Sequence, residues 1–376
     1  MDSSIESIIT TSKFYSLSAH LNFQLSGTPI DWRALLALFN PDQLDDKSKE
    51  LVRDTLIYLG EAYGQEKRKL GPFAVLHPIR TASLLAQCSA KPSILDLLTT
   101  LLHDKNEDIT ENRYSRNDWE NLEYMYQNLI RKIDSMENWY LNERIHFLSR
   151  EKNESYMEYL TGILAQAKAT PELVRVKLAD RLDNTLDLRM DLYEDTSGIN
   201  CYQYIFEVLF TNTLSEKMEK PLYHIDRKIT GAKRLYELYK SALFLSLLNS
   251  EKIDVGECTQ RLYNSLAIAS INEAHNIMLH IFTYHLADVK KQKNVLMDVM
   301  NYSNKGGLNK ITTDKDHMLD GLFTNYFESA NKEQLRAKLD KLYSNKELMA
   351  QAAVAFAAIF TNFLNDENFF IEGVMV

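Results

Sequence analysis

Apolar residues in this chain recur with the period of a helix and almost nowhere with period two. Between 46 and 63, Val52, Leu56, Leu59 and Tyr63 fall three or four residues apart, one stripe of an amphipathic helix. A second helix is predicted over Leu76–Cys88. After "SAKPS" the stripe resumes at Ile94, Leu97, Leu98, Leu101 and Leu102. Residues 115–168 alternate charged and apolar groups with the same period. Pro171 opens a further helix whose seam is Val174, Leu178 and Leu182, which leaves Asp180 and Asn184 off that seam. Near the N-terminus, Asp31 is placed to cap a short helix ending before Pro41. Breaks are expected at "GQEKRKLGPF" (64–73), "EDTSGIN" (194–200), "NSEKIDVGE" (249–257) and "NYSNKGGLNK" (301–310). The stretch "LMAQAAVAFAAIFTNFL" (348–364) is apolar nearly all round, so it belongs inside its own domain or in a subunit interface. The pattern predicts an all-α protein: an N-terminal helical extension (1–45), a helical bundle (46–248) and a C-terminal helical domain (249–376) that braces the bundle or dimerises.

Composition sharpens this picture. With 376 residues the chain is long for one compact core, and with only 12 Gly and 7 Pro it has few places to interrupt long helices. The net charge of −9 argues against a general nucleic-acid binder, because phosphate contacts want a basic surface. A local basic pocket for a small phosphorylated ligand is compatible with it. Cys88, Cys201 and Cys258 lie far apart with no CxxC spacing, so reduced thiols are expected and no disulfide framework or zinc knuckle. The N-terminus "MDSSIESIITTSKFYSL" lacks a basic region followed by an apolar one, and no run approaches the length of a transmembrane helix. A cytoplasmic protein without a membrane partner is the expectation.

The candidate chemistry lies where charge interrupts the stripes. "LLTTLLHDKNED" (97–108) ends an apolar run with His103, Asp104, Lys105, Glu107 and Asp108 in six positions. Asp180 lies in "VKLADRLDN" (176–184), and His77 in "VLHPIR" (75–80). Two imidazoles and two carboxylates suit one borderline or hard divalent metal such as Mn²⁺. Such an ion lowers the pKa of bound water and polarises a phosphoryl oxygen. Each element alone is weak, since an isolated His–Asp pair is more often a surface or capping feature.

Together these residues resemble the HD-domain metal-dependent phosphohydrolases, and more closely the hydrolase domain of the RelA/SpoT homologues. Those enzymes remove pyrophosphate from the 3′ position of the alarmones ppGpp and pppGpp. Three stretches carry the resemblance, which covers about 46–200: "GQEKRKLGPFAVLHPIRTASLLA" (64–86), "LLTTLLHDKNED" and "VKLADRLDN". It implies that His77, His103, Asp104 and Asp180 hold a single Mn²⁺, and that Glu107 and Asp108 are the catalytic acidic pair. If the helix continues past His103, Glu107 shares its face. Arg68 and Lys69 match the basic pair near the nucleotide, and Asn184 matches a ribose contact. Lys177 and Arg181 are candidates for phosphate. Arg150, Lys152 and Tyr156 fall in "LSREKNESYMEY" (148–159), which resembles a run just before the last metal helix of small HD hydrolases, and are candidates for shaping the substrate pocket.

Three features depart from the family pattern. One additional residue separates Gln65 from Arg68. The interval from Asp104 to Asp180 is long, which implies extra helix within 111–160. Asp187 puts an acidic group where a phosphorylated substrate is expected, which puts the base or phosphate preference in question. Residues 201–376 show nothing like the synthetase domain of the bifunctional relatives. The sequence therefore reads as a hydrolase-only protein that removes pyrophosphate from (p)ppGpp or (p)ppApp. An HD-type nucleotidase or an NADPH 2′-phosphatase is the enzymatic alternative, and a non-catalytic nucleotide sensor the alternative of another class.

Overall fold

A computed structural model describes residues 7–26, 30–64, 73–89, 91–151, 154–188, 231–253, 256–313 and 316–374. Among these residues the fold is all-α, with no β-strand. Helix α1 (Thr11–Ser26) and the short α2 (Trp32–Leu36) lead into α3 (Asp46–Tyr63). The Asp31 side chain accepts from the Arg33 and Ala34 amides and so starts α2 where the sequence places it. Then come α4 (Leu76–Cys88), α5 (Ile94–Leu102), the single turn α6 (Lys105–Asp108), α7 (Arg116–Ile130), α8 (Ser135–Leu148), α9 (Tyr156–Ala167) and α10 (Glu172–Asp187). Helices α7 and α8 fill the long interval between Asp104 and Asp180. After the gap in the described residues come α11 (Gly231–Glu251), α12 (Glu257–Tyr284), α13 (Val289–Asn304), α14 (Lys332–Ser344) and α15 (Lys346–Asn365).

Each predicted stripe faces inward. Val52, Leu56 and Leu59 of α3 are buried, as are Leu97, Leu98, Leu101 and Leu102 of α5 and Val174, Leu178 and Leu182 of α10. Helix α10 packs against α4, α5, α9, α11 and α12, so the helix carrying Asp180 sits in the middle of the bundle. Helix α12 crosses α4 and α10 and pairs along most of its length with α15. Phe356, Ile359, Phe360 and Phe363 of α15 are buried against it and its neighbours, which accounts for the apolar 348–364 stretch. That helix alone among the described residues is long and apolar enough to cross a membrane, and 61% of its most apolar window is buried within the protein.

One expectation is corrected. Cys88, the last residue of α4, and Cys258, in the first turn of α12, form a disulfide with a Cα–Cα separation of 5.0 Å. Their separation of 170 residues gives no local spacing to read, and only the crossing of α4 and α12 brings them together. Cys201 lies outside the described residues.

Candidate metal centre

Four side chains from three helical segments converge on one point. His77 is the second residue of α4, where Pro78 is tolerated because the first-turn amides need no intrahelical partner. His103 is the residue that ends α5, and Asp104 follows it in the turn before α6. Asp180 lies midway along α10. His77 Nε2 is 3.2 Å from His103 Nε2, 3.3 Å from Asp104 Oδ2 and 3.3 Å from Asp180 Oδ1. His103 Nε2 is 3.3 Å from Asp104 Oδ2 and 3.7 Å from Asp180 Oδ1.

The hydrogen bonds on the far side of each ring define what these atoms are. His77 Nδ1 lies 2.6 Å from Asp183 Oδ2, and His103 Nδ1 lies 2.7 Å from the Thr100 carbonyl. Both partners are acceptors, so each Nδ1 carries a proton, and in the neutral ring each Nε2 turns a lone pair inward. Two lone pairs and two carboxylate oxygens then face one another in a buried place. That arrangement repels itself unless a positive charge sits among them. Donors about 2.1 Å from one ion and at right angles lie about 3 Å apart, and the observed separations come close to that. His77, His103 and Asp180 thus form a buried group able to hold a metal ion, with Asp104 as a fourth donor. Without an ion the same charges trap protons. Burial opposes the charge on His103, but Asp104 and Asp180 outweigh it and raise its pKa well above the ordinary value. Burial likewise opposes ionisation of Asp180, and Lys177 with the imidazoles overrides it.

Behind His77 stands a second set of charges that no motif signals. Arg80, one turn further along α4, is fully buried. Its Nε donates to Asp183 Oδ1 at 2.7 Å, Nη2 to Asp183 Oδ2 at 3.0 Å, and Nη1 to Ser18 Oγ of α1 at 3.2 Å. Nη2 also lies 2.8 Å from Asp187 Oδ1. Asp183 therefore bridges Arg80 and the metal-side histidine. Asp187 is buried on Arg80, so this acidic group has a structural partner.

In front of the donors opens a cavity of about 260 Å³. It is far larger than the roughly 10–15 Å³ that one water needs. Glu107 and Asp108 line it, as do Lys177, Arg181, Asn184, Arg150 and Tyr156. The helix does not persist through His103, as the sequence reading required for a shared face. Asp104 breaks it, and the amides of Glu107 and Asp108 both bond the Asp104 carbonyl to form the separate turn α6. The turn still delivers both carboxylates to the cavity. Glu107 Oε1 accepts from the Arg150 amide at 2.7 Å, and Asp108 Oδ2 accepts from the Tyr63 hydroxyl at 3.1 Å. Burial, reinforced by the nearby Asp104 charge, raises the pKa of each despite these hydrogen bonds. Lys105 points away and packs its ammonium over Tyr126 at 4.1 Å, a structural role.

Lys177 and Arg181 are buried rather than solvated. Lys177 Nζ is 2.7 Å from Asp180 Oδ2, and Arg181 gives Nη1 and Nη2 to Glu237 at 3.0 and 3.1 Å. The Asn184 amide donates to Asp180 Oδ1, so it orients that ligand while lining the cavity. Arg68, Lys69 and Lys152 lie outside the described residues. Sequence reasoning missed Asp183, Arg80, Tyr63 and Lys240. The i+3 spacing of Asp183 from Asp180 and of Arg80 from His77 was the signal available for the first two. No protein-family model, curated protein or solved structure matches this chain.

Proposed function

We propose that this protein is an HD-type metal-dependent phosphohydrolase that removes pyrophosphate from the 3′ position of an alarmone nucleotide, (p)ppGpp or (p)ppApp. The observation that carries the reading is the convergence of four metal-type donors at one cavity, beside two carboxylates of raised pKa and a cationic wall. His77, His103, Asp104 and Asp180 would hold the ion, Mn²⁺ by resemblance. When bound, such an ion supplies a Lewis acid and a water of lowered pKa.

The chain's own groups supply the rest. Asp183 and the Thr100 carbonyl fix the imidazole tautomers that present Nε2 to the ion. Asn184 and Lys177 hold Asp180 in place. Glu107 and Asp108 take the proton released as water attacks phosphorus, and their raised pKa values bring them closer to the operating pH of a general base. Lys177, at the edge of the donor set, faces the phosphoryl oxygens. A sensor without turnover has no use for Glu107 and Asp108 beside the donors, which favours the enzymatic reading.

The test is direct. Purified protein with Mn²⁺ is incubated with ppGpp, pppGpp, ppApp and NADPH, and products are resolved by ion-exchange chromatography, with Asp104→Ala and Glu107→Ala as controls. Pyrophosphate release from a guanosine or adenosine alarmone is expected. Release of monophosphate from NADPH alone would move the assignment to a 2′-phosphatase, and inert wild type would reject hydrolysis.

A further inference from the structure

The cavity has two ends of opposite sign. His77, Asp104 and Asp180, with His103 buried behind them, and Glu107 and Asp108 form one. The other is a wall of four cationic side chains, Arg150, Lys177, Arg181 and Lys240. Lys240 comes from α11, outside every stretch that carries the family resemblance, and its side chain is only 17% exposed.

The contacts order these groups from one end to the other. Lys177 stands at the seam, on Asp180, with its ammonium 4.9 Å from the centre of the Tyr159 ring. Tyr156 follows, its ring centre 5.9 Å from that of Tyr159. Lys240 Nζ lies 5.6 Å from the Tyr156 ring and 5.0 Å from the Tyr236 ring, and Arg150 covers Tyr156 at 5.9 Å. Lys240 thus reaches the cavity beside Tyr156 and Tyr236, while Lys177 reaches it beside Asp180.

The charge on this wall is not balanced. Arg181 and Lys240 share one carboxylate, Glu237, which Lys240 meets at 2.7 Å. Lys177 shares Asp180 with the metal-type donors. The Arg150 guanidinium bonds the Glu154 carbonyl, a neutral partner. Positive charge in excess and largely out of water is costly unless an anion joins it. Burial accordingly pushes the Lys240 ammonium down to about 8, despite Glu237.

We infer that the Lys240 end of this wall binds a second phosphate group on the same substrate molecule, with Lys240 as the residue that selects nucleotides phosphorylated at two positions. The inference rests on the hydrolase reading above and deepens it: the donor set takes the phosphoryl group to be cleaved, and Lys240 takes the one that remains.

The experiment compares two substrates on the Mn²⁺-loaded full chain, ppGpp and guanosine 3′-diphosphate with a free 5′-hydroxyl, for wild type, Lys240→Met and Lys240→Arg. For ppGpp, Lys240→Met is expected to lower kcat/KM by about 10- to 100-fold through KM, the range for one lost charge-assisted hydrogen bond. For the 5′-hydroxyl substrate it should change little, and Lys240→Arg should retain most of the preference. Equal loss on both substrates, or no loss on either, overturns the assignment and leaves the hydrolase reading intact. If wild type turns over neither substrate, that reading fails separately. Calorimetric binding of ppGpp then decides for Lys240. Weaker binding to Lys240→Met at an unchanged melting temperature supports it, and equal binding, or none to either protein, overturns it.

Discussion

His77 and Asp183 meet Nδ1 to Oδ2 at 2.6 Å, with Asp183 fully buried behind a His77 ring that borders the cavity. The bond does two things at once. It fixes which nitrogen of His77 is left for the ion, and it gives Asp183 a second partner besides Arg80. Replacing Asp183 by Ala should therefore have two separable effects. Ion affinity should fall by about 10- to 100-fold, the range for an outer-shell partner of a ligating histidine, as read by calorimetry with Mn²⁺. Stability should fall by about 3–5 kcal/mol, because Arg80 keeps its charge with a principal partner gone. Asp183→Asn keeps an acceptor for His77 and should spare more of the ion affinity than of the stability. If both variants bound Mn²⁺ like wild type, Asp183 would be a structural counter-ion to Arg80 alone.

The cluster of inward lone pairs and carboxylates predicts that a divalent ion stabilises the folded chain. At an ion concentration 100 times its dissociation constant the gain is about 2.7 kcal/mol. Melting temperature should rise on adding Mn²⁺, fall on adding a chelator, and respond to neither in Asp104→Ala or His103→Ala. A wild-type melting curve indifferent to Mn²⁺ and chelator would remove the metal from the site.

Most of the scaffold was legible in the sequence, for a physical reason. Helices such as α3, α5 and α10 bury one stripe each, and a stripe of the right period is a local signal. The donor set was legible because motifs keep His77, the His103–Asp104 pair and Asp180 in recognisable surroundings. Arg80 and Asp183 were not, since their i+3 spacing from His77 and Asp180 puts each on its ligand's helix face but does not say that the two helices pair them. Asp187 read as an anomaly until its partner was seen. Lys240 was out of reach for another reason: only the packing of α11 on α9 and α10 brings it to the cavity. The break after His103 was hidden as well. "HDKNED" has ordinary helix propensities, and it is the Asp104 backbone that closes α5 and starts α6.

Glu107 is placed to act on a proton rather than on the ion. Its Oε1 takes the Arg150 amide, an interaction that a Gln side chain at this position preserves. Glu107→Gln should therefore leave Mn²⁺ affinity and melting temperature nearly unchanged and lower kcat by about 100-fold or more, the range for losing a general base. Single-turnover measurements separate this from slow product release. A variant with full kcat would pass the role to Asp108, for which Asp108→Asn is the matching probe.

Lys240 also sets a pH limb whose sign can be worked out. Its folded pKa is lowered to about 8, chiefly by burial, so the ammonium is charged below that pH and neutral above it. If the charge binds phosphate, kcat/KM for a doubly phosphorylated nucleotide should fall as pH rises through about 8. The groups around it do not mimic this limb. Glu237 is held below the ordinary carboxylate range, Lys177 and Arg181 are raised, Tyr156 is raised and Tyr236 is pushed up to about 12, while the Arg150 guanidinium lies 5.9 Å from the Tyr156 ring centre. Stability should move the other way. A lysine that loses its proton more readily when folded leaves the unfolded chain with more bound protons between about 8 and the ordinary lysine value of about 10.4, so this residue adds stability as pH rises across that window. Lys240→Arg should erase both trends together, the fall in kcat/KM and the rise in stability. A limb at pH 8 that survives the substitution belongs to another group.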